Sequence, residues 1–204
     1  MHISDGVLPT SMAVGSYAVS LALTAWSVRK TRGDDLPKVA VVTSSFFVAS
    51  LIHVPLGPTS VHLLIPGLVG ILLGSSAFVS VALGLLLQSL LFQFGGITAW
   101  GANSLMMGLP ALTAGWLFAL IKGKTLFRTV LAGAICGGLG VMLAGTVLAV
   151  LLISSGEDFL GVAKIALVAH LPVIAIEAAI SAFTVSFLYK VKPELLRTAF
   201  PAAT

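Results

Sequence analysis

The sequence predicts an all-α, polytopic membrane protein, a helical bundle of about seven transmembrane helices. Hydrophobic residues make up 58% of the 204 residues and charged residues only 9%, whereas soluble domains carry roughly 25% charged residues. The mean hydropathy is +1.11, and the apolar content recurs along the whole chain instead of forming one anchor. We therefore expect a single integral-membrane domain over residues 1–204, with no separate soluble domain.

Seven apolar segments are candidates for the spans, because a transmembrane helix needs about 20 mostly apolar residues. The third segment is short, and its sequence "LIPGLVGILLG" contains Pro66 and three glycines. It is expected to be a tilted or half-penetrating helix that runs into the fourth, so six spans plus a re-entrant piece is the alternative. The predicted segments are residues 11–28, 38–54, 62–75, 76–94, 101–121, 128–153 and 162–189.

The positive charges predict the orientation, because short cytoplasmic loops carry an excess of Lys and Arg. With seven spans, the basic groups that follow spans one, five and seven all fall on one side. We expect that side to be cytoplasmic, with the N-terminus outside and residues 190–204 forming a cytoplasmic tail. The net charge of +4 then reflects topology and does not indicate nucleic acid. The residues of these three groups are Arg29, Lys30, Arg32, Lys38, Lys122, Lys124, Arg128, Lys190, Lys192 and Arg197, and only Lys164 falls on the opposite side.

The N-terminal sequence "MHISDGVLP" is unusual for a membrane protein and suggests a metal site. Residues 1–12 contain no Lys or Arg, so they do not resemble an export signal, and we expect Met1 to be kept. The amine of Met1, the amide nitrogen of His2 and its imidazole can close fused chelate rings around one ion. Nitrogen-rich sites of this kind suit Ni(II) or Cu(II), with Co(II) a further candidate. The predicted N-terminal metal-binding segment covers residues 1–10.

A fourth nitrogen is available from "HVPLGPTSVHLL", which the predicted topology places on the same side as Met1. His62, or less favourably His53, is the candidate, although a lone interfacial histidine bonded to a carbonyl is the ordinary alternative. Asp5 can supply hydrogen bonds around the ligands, Gly6 a tight turn, and Pro9 a restricted entry into the first span. The terminus is then expected to fold back into the bundle.

Several further polar residues stand out against the apolar background. Glu177 lies near the middle of span seven, where a carboxylate costs at least a few kcal/mol unless it is protonated or paired. His170 lies two turns earlier on the same face, so a structural Glu–His polar core is predicted, with a proton or ion relay as the alternative. Gln93 and Asn103 flank the Gly-rich turn "FGGITAWGAN", where amides can satisfy irregular backbone that lines a cavity.

Fragments along nearly the whole chain resemble the CbiM/NikM family, the substrate-binding (S) components of energy-coupling factor transporters for cobalt and nickel. These fragments are "MHISDG", "GPTSVHLL", "LLLQSLLFQFGGITAWGANSLMMGLPAL", "HLPVIAIEA" and "YKVKPELL". The resemblance implies that the chain captures Ni(II) or Co(II) as its transported substrate. It implies ligands from Met1, His2 and His62, with Ser60, Asp5, Gln93 and Asn103 around them. His53 departs from relatives that have Asn nearby, and is kept as an alternative ligand.

The resemblance also implies partners and a location. The partners are a transmembrane coupling subunit (T component) and cytoplasmic ATPase subunits (A components), together with a small accessory membrane subunit in some systems. The location is the inner (plasma) membrane of a prokaryote. No G-x-x-x-x-G-K-[ST] loop occurs in the sequence, so the energy would come from those partners.

Two other functions compete with this interpretation. An intramembrane metalloenzyme would need a general base beside the metal, as in H-E-x-x-H, and that motif is absent from the sequence. A stand-alone cation channel or secondary carrier would need acidic residues along the spans, and these are scarce. We therefore predict a transport component and not an enzyme.

Overall fold

The computed structural model describes residues 2–51, 53–56 and 59–196, with the backbone alone at 53–56 and 59–61. Its described part contains seven α-helices and one short β-hairpin. The elements are α1 (Thr10–Lys30), α2 (Leu36–Ala49), β1 (His53–Leu56), β2 (Thr59–His62), α3 (Pro66–Leu73), α4 (Ala77–Phe92), α5 (Trp100–Ile121), α6 (Leu126–Ser155) and α7 (Leu160–Val191).

Length and composition make this a membrane helical bundle. Within the described residues, five stretches are long and apolar enough to cross a membrane: Thr10–Lys30, Pro66–Phe92, Trp100–Ile121, Leu126–Ser155 and Glu157–Val191. Large apolar side chains also cover the outer surface of the bundle, and Phe183 on α7 is 77% exposed. Such a surface is expected where helices face lipid instead of water. The count of seven complete spans remains a prediction.

The second predicted span is shorter than the sequence suggested. Residues 38–54 were expected to be helical, but α2 ends at Ala49 and β1 begins at His53. The 14 residues of α2 extend only about 21 Å, less than the roughly 30 Å of a hydrocarbon core. The all-helical fold is retained, and only the end of this predicted span is corrected: it is replaced by a short two-stranded antiparallel hairpin, in which His53 pairs with His62 and Leu56 with Thr59. Pro55, which cannot continue a helix interior, lies in this hairpin.

The third predicted span is a half-length helix that reverses into the fourth. α3 has only 8 residues, and its first turn contacts the middle of α6, where Gly67 meets the backbone of Cys136. The turn after α3 reaches the last residues of α1, because Ser27 Oγ donates to the Ser75 carbonyl at 2.7 Å. Gly74 adopts φ +56° at this turn, a conformation that favours glycine. α4 then returns beside α2, with Thr43 bonded to Ser80 at 2.8 Å.

Small residues allow the central helices to approach closely. A side chain at Gly70 of α3 would overlap the carbonyl of Ala111 on α5. A side chain at Gly137 of α6 would overlap Ser181 on α7. Where no water drives association, such close packing is a main source of helix–helix stability.

The basic groups predicted to share one side do meet at one end of the bundle. Lys38 Nζ donates to the Leu195 carbonyl at 2.9 Å, and Lys122 Nζ donates to the Leu196 carbonyl at 3.0 Å. The Tyr189 hydroxyl donates to the Lys124 carbonyl at 2.9 Å. The chain between residues 190 and 196 is therefore packed against this basic end of the bundle, and the rest of the predicted tail, 197–204, lies outside the described residues.

Candidate metal centre

The N-terminal segment folds back into the bundle at the end opposite the basic residues. His2 is 4% exposed and Ile3 is completely buried. Asn103, near the start of α5, binds both backbone groups of Ile3. The amide of Ile3 donates to Asn103 Oδ1 at 2.8 Å, and Asn103 Nδ2 donates to the Ile3 carbonyl at 3.0 Å. These two bonds orient the backbone that immediately follows His2.

The Gly-rich turn between α4 and α5 leaves room for this segment. Gly95 and Gly96 adopt φ values of +74° and +73°, which side-chain-bearing residues rarely adopt. A Cβ at Gly95 would come within 3.0 Å of the His2 ring, and one at Gly96 would overlap the Asp5 carboxylate. Both positions therefore require glycine, because the N-terminal segment lies too close for a side chain and because the backbone has a positive φ.

Asp5 ties the segment to the same turn. Its Oδ1 atom accepts a bond from the Thr98 amide at 2.8 Å and one from the Thr98 hydroxyl at 2.5 Å. The carboxylate is exposed and contacts this loop, so it acts on the terminus and not on the imidazoles. Asp5 therefore holds the terminus against this turn through Thr98, and the hydrogen bonds expected from it around the metal ligands stay a prediction.

The imidazoles of His2 and His62 lie side by side, although 60 residues separate them in the chain. Their ring centroids are 4.7 Å apart, and His62 Nε2 lies 3.2 Å from His2 Nδ1. The other nitrogen of each ring has an acceptor, Gln88 Oε1 at 2.7 Å from His2 Nε2 and the Leu63 carbonyl at 2.7 Å from His62 Nδ1. Assigning the N–H groups to those acceptors leaves His2 Nδ1 and His62 Nε2, which lie next to each other, as the two nitrogens without a ring proton.

Two adjacent unprotonated nitrogens repel each other unless they share a proton or a cation. Imidazole nitrogens bind divalent metals at about 2.0–2.1 Å, so a separation of 3.2 Å corresponds to an N–metal–N angle of about 100–105° for two ligands of one ion. That angle lies between the ideal square-planar and tetrahedral values. The pair is therefore spaced to bind one metal ion through two adjacent positions.

The surroundings keep His62 neutral, which is the form that ligates metals. Burial lowers the pKa of His62 to about 4, while its bond to the Leu63 carbonyl acts in the opposite direction and the nearby His170 lowers the pKa further. His62 is only 4% exposed, so water does not compete freely for its Nε2 atom. A neutral, dry imidazole is well suited to take a partly dehydrated cation.

Gln88 contacts the histidine pair, although it was not among the residues expected around the metal ligands. Its Oε1 atom accepts from His2, and its Nε2 atom donates to Ser50 at the end of α2. Gln93, which was predicted for this role, lies at the end of α4 with φ +57° and an exposed side chain. Gln88 lies within α4, and Gln93 is the first residue after it. Their positions in the sequence could have distinguished them, since Gln88 lies one turn inside the apolar segment and Gln93 lies at its boundary.

Three of the predicted site residues cannot be placed fully. Met1 lies outside the described residues, and only the backbone is described for His53 and Ser60. Among the residues that the structure does describe, no group of three or more His, Cys, Asp or Glu side chains could hold a metal ion. The described side-chain donors at this site are the two imidazoles. Further ligands would have to come from main-chain nitrogens or from the positions just named.

His170 and Glu177 lie on α7 and face the segment that follows His62. Glu177 Oε1 accepts bonds from the amides of Leu64 and Ile65, the latter at 2.8 Å. His170 Nδ1 bonds the Ala166 carbonyl on its own helix at 2.5 Å. Both side chains are buried, but the hydrogen bonds of the described residues do not join them to each other. The expected polar core therefore binds the 64–65 backbone instead of forming a direct Glu–His pair.

Comparison with known proteins identifies the family. Residues 2–195 match the family described as "CbiM: Cobalt uptake substrate-specific transmembrane region". The chain belongs to the CbiM family. This confirms the resemblance inferred from the sequence fragments, and it places the chain among membrane metal-transport proteins and not among enzymes.

Relatives of this CbiM-family chain are similar over most of its length. It is 36% identical over 199 residues to a "Putative metal transport protein" of Haemophilus influenzae, covering 96% of this chain and 97% of the relative. It is 35% identical over 147 residues to a "Putative fused nickel transport protein NikMN" of Archaeoglobus fulgidus, covering 71% of this chain and 49% of that longer protein. A solved structure described as a transition metal transporter superposes with a TM-score of 0.78 at 28% identity, covering 94% of this chain and 93% of the other.

Proposed function

We propose that this chain is the substrate-specificity component of an ATP-driven energy-coupling factor importer. It captures Ni(II) or Co(II) on the outer face of a prokaryotic plasma membrane and delivers the ion inward. Family membership and the relatives named for cobalt or nickel transport support the cargo. The observation that carries the proposal is the close approach of His2 Nδ1 and His62 Nε2, which lie 3.2 Å apart.

The nitrogen that His2 directs at His62 supports the predicted chelate. A ring that closes through the His2 amide nitrogen can include Nδ1 but cannot reach Nε2, which lies on the far side of the imidazole. In the structure, Nε2 is bonded to Gln88 and Nδ1 is turned toward His62. In the proposed complex, the Met1 amine, the His2 amide nitrogen, His2 Nδ1 and His62 Nε2 bind one ion. Four nitrogens suit late first-row divalent metals.

The bundle supplies selectivity and enclosure, and partners supply the energy. The pair is buried and held by Asn103, Gln88 and the Gly95–Gly96 turn, so a bound ion would lose most of its water. Release inward then needs a movement of the bundle. We propose that a transmembrane T component and cytoplasmic A components drive it, with a small accessory membrane subunit in some assemblies. The basic end of the bundle, which contains Lys38 and Lys122, faces the cytoplasm in this arrangement.

The proposal is tested by moving the terminal amine. A long histidine-free tag added ahead of Met1 converts the Met1 amine into an amide and moves the terminal amine away, but it leaves both imidazoles in the chain. We expect the purified chain with its native terminus to bind one equivalent of Ni(II) or Co(II) in equilibrium dialysis, and the tag to weaken binding by at least 100-fold.

A matched control carries the same tag after Thr204, at the other end of the chain. This variant is expected to bind as the unaltered chain does. If the chain with the tag ahead of Met1 binds with unchanged affinity, the chelate is wrong. A stand-alone channel or carrier would instead move metal across vesicles that contain this chain alone, a result that the proposal does not allow.

A further inference from the structure

A series of three hydrogen bonds connects the end of α2 with the His2 ring. The Ser50 hydroxyl donates to the Phe47 carbonyl at 2.8 Å. The Ser50 oxygen in turn accepts from Gln88 Nε2, and Gln88 Oε1 lies 2.7 Å from His2 Nε2. Ser50 and Gln88 are both completely buried, so water does not compete for the bond between them.

The direction of every bond in this series follows from its first acceptor. A backbone carbonyl can only accept, so the single proton of the Ser50 hydroxyl is used on Phe47. The Ser50 oxygen can then only accept, which turns the NH2 group of the Gln88 amide toward Ser50. The other end of the amide is its carbonyl oxygen, and this oxygen faces His2 Nε2. In a neutral His2 ring, Nε2 is therefore the nitrogen that carries the proton, and Nδ1 is the nitrogen that does not.

The reversed arrangement would disable the proposed chelate. If the Gln88 amide turned over, its NH2 group would face His2 Nε2, and a neutral ring would then carry its proton on Nδ1. A protonated Nδ1 cannot bind a metal, although it is the nitrogen that a chelate ring through the His2 amide must use. The reversed amide would also present its oxygen to the Ser50 oxygen, so Ser50 would have to give up Phe47 in order to donate there. The bond from Ser50 to Phe47 therefore opposes the reversal.

The early end of α2 brings Ser50 to this position. Ser50 directly follows Ala49, the last residue of α2, and its hydroxyl bonds the backbone three residues earlier, which is a common local bond for serine. α2 and α4 pack against each other, and Gln88 lies one turn inside the end of α4. The interruption of the second predicted span therefore aligns a buried hydroxyl with the amide that bonds His2.

We propose that Ser50 and Gln88 are positioning residues that keep the proton of His2 on Nε2, so that Nδ1 can bind the Ni(II) or Co(II) cargo together with His62. Neither residue touches the ion in this arrangement. The hydrogen-bond partner of a metal-binding histidine sets which nitrogen is protonated and how the ring is oriented, and its loss typically costs about 10- to 100-fold in metal affinity. This inference rests on the proposed function, which assigns Nδ1 of His2 to the ion.

Three substitutions and one control separate this role from ordinary packing. Ser50→Ala removes the acceptor of the Gln88 NH2 group, whereas Ser50→Thr keeps a hydroxyl there. Gln88→Leu removes both ends of the amide. The matched control is Thr43→Val. Thr43 makes another buried bond between α2 and α4, to Ser80 at 2.8 Å, and it lies two turns before Ser50 on α2.

The first measurement locates the His2 proton in the metal-free chain at mildly alkaline pH. Nitrogen NMR with isotope-labelled histidine distinguishes protonated from unprotonated ring nitrogens, and the four histidines can be assigned by single substitutions. We expect one form, with the proton on Nε2, in the unaltered chain, in Ser50→Thr and in Thr43→Val. Ser50→Ala and Gln88→Leu should show a detectable population with the proton on Nδ1. A proton on Nδ1 in the unaltered chain would overturn the inference, and this result stands even if a variant fails to fold.

The second measurement is the dissociation constant for Ni(II), obtained by calorimetry. We expect Gln88→Leu to raise it about tenfold or more and Ser50→Ala about threefold or more, while Ser50→Thr and Thr43→Val stay within about twofold. Because Ser50 acts through Gln88, Ser50→Ala should add less than about 1.5-fold when Gln88→Leu is already present. If the two effects multiply instead, Ser50 acts only by holding the helices together, and the inference is wrong. If the unaltered chain binds no metal, the proposed function fails, whereas the NMR result still decides where the His2 proton lies.

Discussion

Asn103 offers a test of the folded-back terminus that leaves every proposed metal ligand in place. Asn103→Leu keeps the number and branching of the side-chain heavy atoms but removes the acceptor for the Ile3 amide, 2.8 Å away, and the donor to the Ile3 carbonyl, 3.0 Å away. Both bonds are buried, so the backbone groups of Ile3 would lose their partners without gaining water. We expect the terminus to leave its position beside His62 for a large fraction of the time.

The size of the effect follows from the two lost bonds. Each buried backbone group left without a partner costs about 1–3 kcal/mol, which gives about 2–6 kcal/mol against the folded-back state. Burial of Ile3, worth about 2 kcal/mol, and the Asp5–Thr98 bonds remain and offset part of this cost. The measured dissociation constant is inversely proportional to the fraction of molecules with the terminus folded back. We therefore expect the affinity for Ni(II) or Co(II) to fall about 10- to 100-fold.

Isothermal titration calorimetry on the detergent-purified chain measures this change, and circular dichroism confirms that the helices persist. Thr113→Val is the matched control on α5, because the Thr113 hydroxyl is exposed and bonds its own helix at Leu109. It should bind metal as the unaltered chain does. A folded Asn103→Leu variant with unaltered affinity would show that the terminus is positioned by something other than these two bonds.

Two further predictions concern the second imidazole and the close packing of the helices. His62→Ala should weaken Ni(II) or Co(II) binding at least 100-fold in calorimetry, because it removes one of two side-chain donors; equal loss in His53→Ala would show that both imidazoles ligate. Gly70→Ala should lower the free energy of unfolding by about 2–4 kcal/mol, since its methyl group would overlap the Ala111 carbonyl. The control is Gly15→Ala, since there is open space around Gly15. It should raise the free energy of unfolding by no more than about 1 kcal/mol. Equal thermal unfolding of the two variants would contradict the packing argument.

Much of the fold could be predicted from composition, because apolar segments of sufficient length have few alternatives in a bilayer. The five long spans and the meeting of the basic groups at one end follow from such local signals. The short α3 was also expected from the sequence, because Pro66 and three glycines lie in that segment. The hairpin at 53–62 does not follow from such signals, since hydropathy does not indicate where a helix gives way to a hairpin, although Pro55 is unfavourable inside a helix.

The candidate site divides in the same way. The sequence by itself determined that a histidine in the second position and another in "TSVH" are suitable metal ligands, because ligand chemistry belongs to residue type. Only the tertiary structure decided that His2 bonds Gln88 and not Gln93. It also decided that Glu177 bonds the backbone at 64–65, whereas the sequence had suggested a contact between Glu177 and His170. Helices that are apolar on every side carry little periodic signal to indicate which face turns inward. Their rotation and depth are set by close packing at residues such as Gly70 and Gly137, between segments far apart in the chain.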